Sequence, residues 1–82
     1  MTAKLIESNY SFKKLEPLES YEIDLSCPAN NEDAVHNVIL NNSEYQMQIK
    51  KIFFIDQDRI LIRGWLTNDE EFGTVSFELT NF

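Results

Sequence analysis

From Ser20 to Cys27 apolar and polar residues alternate without a break: Tyr21, Ile23, Leu25 and Cys27 against Ser20, Glu22, Asp24 and Ser26. Successive side chains of a strand point to opposite sides, so this period of two gathers every apolar group on one face. Pro28 ends the run, because proline has no N–H to give to a ladder. The chain must therefore supply a sheet with one dry face and one wet face. Gly73 to Thr80 repeats the pattern, with Val75, Phe77 and Leu79 opposed to Thr74, Ser76, Glu78 and Thr80.

Between these segments the sequence predicts a hairpin. Tyr45, Met47 and Ile49 alternate with Gln46, Gln48 and Lys50, and Ile52-Phe53-Phe54-Ile55 then turns apolar on both faces. That switch fits either a strand entering a doubly covered region or a bulge. Asp56-Gln57-Asp58-Arg59 has the composition of a tight turn built on side-chain-to-backbone hydrogen bonds. The chain returns as Ile60 to Leu66, where Gly64 marks a bulge or sharp bend. Tyr10 and Phe12, alternating with Ser11 and Lys13, suggest a further strand that stops before Pro17. Over 31–40, Asn31 followed by Glu32 and Asp33 resembles a helix start, and Ala34, Val35, Val38 and Ile39 keep helical spacing. A short helix is favoured there; a strand with His36, Val38 and Leu40 on one face is the alternative. The expected fold is mainly β: a small antiparallel barrel or sandwich of five to six strands, with room for one short helix, in a single acidic domain spanning 1–82.

Eighty-two residues bury only about 60–65% of the unfolded surface, so a domain of this size needs reinforcement. Cys27 is the only cysteine and His36 the only histidine, which argues against an internal disulfide and against a zinc site. A solitary cysteine, with no apolar leader in the first residues, places the expected home in the cytoplasm. The longest apolar run is four residues, 52–55, far below the roughly 20 needed to cross a bilayer as a helix. Fourteen acidic residues against seven basic ones give a net charge of −7, a balance that opposes a phosphate backbone and favours a basic protein partner.

Chemistry-bearing patterns are sparse. Gly64 and Gly73 stand alone and form no phosphate loop. A Cys27–His36 pair is conceivable as a nucleophile and base, yet Cys27 lies on an apolar strand face, where it behaves as a small hydrophobe. Asp56-x-Asp58 matches the opening of a calcium loop, but Leu61 and Thr67 occupy the positions that need Gly and Glu. No catalytic constellation and no cofactor or metal site is expected. The informative stretch is Trp65-Leu66-Thr67-Asn68-Asp69-Glu70-Glu71-Phe72, three acids bracketed by the single tryptophan and a phenylalanine. Either the aromatics are core residues around a solvated loop, or they anchor a partner that the acids steer.

Size, acidity and missing catalytic groups together suggest a protein-binding inhibitor with the general profile of immunity-type or phage-type inhibitors. Asp56, Asp58, Trp65, Asp69, Glu70, Glu71 and Phe72 are its candidate contacts, and these loops form one patch only if the topology brings them to one end. The alternative is a structural or adaptor subunit, or a homo-oligomer, whose Tyr45–Gln48 segment pairs as a sheet edge with another chain.

Overall fold

The computed structural model describes residues 2–9, 12–23 and 33–80. It holds six strands: β1 (Thr2–Ser8), β2 (Ser20–Glu22), β3 (Val35–Leu40), β4 (Ser43–Phe54), β5 (Arg59–Thr67) and β6 (Phe72–Thr80). They form one sheet in the order β2-β1-β6-β5-β4-β3, every neighbouring pair antiparallel. The sheet curls into a half-barrel. No helix occurs among the described residues, so none is long and apolar enough to cross a membrane.

The inward alternation builds the core. Tyr45, Met47 and Ile49 of β4, Ile60, Ile62 and Leu66 of β5, and Val75, Phe77 and Leu79 of β6 are all buried. Phe12 and Leu15, from the β1–β2 connection, close over this concave face, and the Phe12 ring meets Tyr45 edge-on at 5.9 Å. Tyr21 and Ile23 pack on the same core, as the Ser20–Cys27 pattern requires; that strand ends at Glu22 in the structure, and Cys27 and Pro28 lie outside the described residues.

Two expectations are corrected. The segment favoured as a helix contains a strand: Val35–Leu40 pairs with β4 from Val35↔Gln48 to Leu40↔Ser43. The pair closes through Asn41 and Asn42, both at positive φ (51° and 64°), the conformation of the hairpin turn that matches sheet twist. Tertiary pairing of β-branched Val and Ile outweighs the capping signal. The N-terminal strand is Thr2–Ser8, with Ala3 and Leu5 inward and a register shift between Leu5 and Glu7. Phe12 and Lys13 lie in a loop, while Tyr10 and Ser11 are outside the described residues.

The hairpin has the turn the sequence predicts, and its apolar switch is a bulge. The β4–β5 register shifts between Ile49 and Lys51. Ile52 packs against the core, whereas Phe53, Phe54 and Ile55 are exposed, so the run is not doubly covered. Gly64 belongs to the regular partner strand opposite the bulge. There a Cβ would overlap the Gln48 carbonyl oxygen and reach 3.2 Å from Ile49 Cα. Glycine is the space that lets the bulged β4 backbone close onto β5.

Candidate functional site

The acidic turns sit at opposite ends of β5. Asp56 and Asp58 occupy the β4–β5 turn before Arg59; Asp69, Glu70 and Glu71 occupy the β5–β6 turn after Thr67. Nine residues of strand, at about 3.3 Å each, hold the two turns roughly 25 Å or more apart. They make no single acidic patch.

At the first turn the acids are occupied by structure. Asp56 Oδ1 accepts the Asp58 N–H at 2.9 Å and Oδ2 accepts Arg59 Nε at 2.9 Å. The Arg59 guanidinium and the Asp58 N–H hold this exposed carboxyl below its ordinary pKa. Arg59 also reaches Glu78 at 3.4 Å. Two other basic groups near it in sequence are engaged as well: Lys50 pairs with Asp33 at 3.0 Å, and Arg63 lies over the Phe53 ring at 5.6 Å.

The second turn is organised by Asn68. Its Oδ1 accepts the N–H groups of Glu70 (2.9 Å) and Glu71 (2.7 Å), while its own N–H donates to Glu71 O at 2.8 Å. Glu71 is 6% exposed and is a structural residue: its carboxylate accepts the Lys13 N–H at 2.7 Å and Asn68 Nδ2 at 3.2 Å. It ties the β1–β2 connection to this turn. Burial pushes the Tyr45 hydroxyl pKa up, and the Glu71 charge adds to that shift. Asp69 and Glu70 remain exposed, Glu70 in a surface pair with Lys13 at 3.4 Å, of a kind that contributes little to stability.

Trp65 and Phe72 are not core residues. Both stand on the outer face of the sheet, 41% and 54% exposed, because they alternate with the buried Leu66 and Gly73. Their rings meet edge to face, with centroids 4.9 Å apart at 87°, the arrangement favoured by aromatic quadrupoles. Register places Gln48 and Thr74 beside Trp65, and Gln46 beside Thr67. Beyond Thr67, the cross-strand partner of Phe72, lies a polar groove of about 640 Å³ bordered by Asn37, Glu44, Gln46, Thr67, Asp69 and Glu70. On the other side of Trp65 a second groove of about 410 Å³ runs along Glu7, Arg63 and Ser76. Trp65 thus lines the second groove, while the first, edged by three carboxylates, lies beyond Thr67.

The structure brings together Trp65, Phe72, Asp69 and Glu70, leaves Asp56 and Asp58 at the far end, and buries Glu71. It adds Glu44, Gln46 and Asn37 to the face. Glu44 and Gln46 were readable as the outward positions of the β4 alternation; Asn37 was hidden by the helical spacing around it. No protein-family model matches the chain, and neither a curated protein nor a solved structure is found to be similar to it.

Proposed function

We propose that this chain is a small protein-binding module that docks a basic protein on the outer face of its sheet and neutralises or blocks that partner. The observation that carries this reading is the exposed Trp65–Phe72 pair. A domain short of core material has every reason to bury its only tryptophan, yet it presents the ring to solvent beside a phenylalanine. Aromatic anchors of this kind dominate interface energetics. Glu44, Asp69 and Glu70 border the adjoining groove and provide complementary charge for Lys or Arg on the partner, which acts mainly on encounter rate. The chemistry is binding rather than catalysis. The cytoplasm remains the proposed compartment, on the ground that a lone cysteine suits a reducing environment.

The test is a side-by-side capture from nuclease-treated lysate of the source cell, using the wild-type chain, W65A/F72A and D56N/D58N as baits. A basic protein held in stoichiometric amount by wild type and by D56N/D58N, and lost from W65A/F72A, is the expected result. Equal capture by all three baits overturns the assignment of the face.

A further inference from the structure

The two edges of the sheet are guarded differently. β2 has three residues and carries Glu22, a short charged edge of the kind that resists pairing. β3 runs Val-His-Asn-Val-Ile-Leu with no Lys, Arg, Asp, Glu or Pro. Among the described residues β4 is its one hydrogen-bonded neighbour. Val35 and Ile39 on this strand are 58% and 65% exposed. The Tyr45–Gln48 segment, expected at an edge from sequence, is instead interior, between β3 and β5.

The phase of the ladder says which groups are open. Leu40 and Ser43 flank the two-residue Asn41–Asn42 turn, and the residues flanking such a turn exchange both their hydrogen bonds. Hydrogen-bonded residues then alternate, so Val38 and His36 also aim at β4. Ala34 continues the series, its carbonyl accepting the Ile49 N–H at 3.0 Å. Val35, Asn37 and Ile39 therefore aim their N–H and C=O groups away from β4, toward the open edge. Their side chains share the outer face.

We propose that β3 pairs antiparallel with β3 of a second copy of this chain about a two-fold axis at Asn37, joining two half-barrels into one continuous sheet. In this register Asn37 faces its own copy and Val35 faces the second copy's Ile39, so all three outward-bonding residues find partners. Neighbouring even shifts leave one of the three without a strand partner. The occupant is a second copy because the pattern is its own complement: apolar residues stand two positions either side of a central amide. Charge agrees. Two chains of net charge −7 repel at a distance, yet the edge itself is uncharged and the register puts Asp33 opposite Asn41, so no two acids meet. Such an interface is isologous, the commonest closed arrangement of copies. The two-fold axis stands normal to the sheet and keeps both outer faces on one side, so two Trp65–Phe72 ridges point the same way. Val35 and Ile39, which the test below changes, are not part of that ridge; Asn37, at the axis, also borders the acidic groove, so the two readings meet at that residue alone.

Sedimentation equilibrium of the full chain tests it, with a species of twice 9.6 kDa expected at micromolar to millimolar concentration. V35E/I39E sets like charges opposite at both Val35–Ile39 positions and is expected to raise the dimer dissociation constant tenfold or more at low salt, since like charges directly opposed weaken a sheet. V35K/I39E sets opposite charges there and is expected to recover dimerisation to within a few-fold of wild type. Amide exchange supplies an arm that needs no variant: the N–H groups of Val35, Asn37 and Ile39 gain protection as concentration rises, in step with the mass. A chain that stays monomeric to millimolar concentration overturns the proposal. So does a dimer indifferent to V35E/I39E, or one whose Asn37 amide exchanges freely.

Discussion

Gly64→Ala is the smallest change that challenges the way β4 and β5 close on each other. The added Cβ collides with the Gln48 carbonyl and crowds Ile49 Cα at 3.2 Å. These are backbone atoms inside a ladder flanked by β3 and β6, so no flexible side chain gives way. Overpacking of this kind costs about 1–3 kcal/mol. Restricting the unfolded chain returns about 0.4–1 kcal/mol. A net loss of about 1.3 kcal/mol follows, a large share of the stability of a domain this small. With roughly 4–8 °C per kcal/mol in this size range, the Tm falls by roughly 5–10 °C. Urea and thermal unfolding followed by far-UV circular dichroism give both quantities. Gly64→Val sharpens the test: by strand propensity alone valine stabilises relative to glycine, whereas crowding against Gln48 makes it worse than alanine. A Gly64→Ala protein within 0.5 kcal/mol of wild type, or a valine variant more stable than the alanine one, refutes the steric argument.

Three further outcomes follow from the turns. Glu71→Ala leaves the Lys13 N–H without its acceptor and is expected to lower stability by about 1–3 kcal/mol, measured by urea denaturation. Asn42→Val forces a β-branched residue to positive φ (64°) and is expected to cost about 1–2 kcal/mol, with Asn42→Gly at or above wild-type stability. The Asp56 carboxyl, held below its ordinary pKa by Arg59 and the Asp58 N–H, favours the folded state above the unfolded carboxylate pKa. That contribution fades as pH falls through the folded value. Carbon-detected NMR titration is expected to place its midpoint below that of an ordinary aspartate, and Arg59→Met to move it upward.

The inward faces of β4, β5 and β6 were legible because alternation survives in sequence whenever one face is dry. Asx chemistry announced the Asp56–Arg59 turn in the same way. β3 was harder, since Ala34, Val35, Val38 and Ile39 mimic helical spacing, while the better signal was the Asn41–Asn42 pair joining two β-prone runs. β1 was obscured where its register shift lets Ile6 break the alternation of Ala3 and Leu5. For the site, the aromatics and acids of 65–72 were visible, but their separation from Asp56 and Asp58 is a property of topology: a meander sends successive turns to opposite ends of the shared strand. Glu71 could not be told from Glu70, because only the fold brings the Lys13 backbone to it.

The central claim, that a basic protein partner sits on the Trp65–Phe72 face, is tested most directly at the tryptophan itself. Trp65 is the chain's only tryptophan, so 5-fluorotryptophan labelling yields one fluorine resonance, free of any signal from an unlabelled partner. Titration with the captured partner is expected to shift that resonance and to abolish its sensitivity to exchange between H2O and D2O, because the ring leaves solvent. A saturated complex with an unmoved, still solvent-sensitive resonance contradicts the claim and places the partner elsewhere on the molecule.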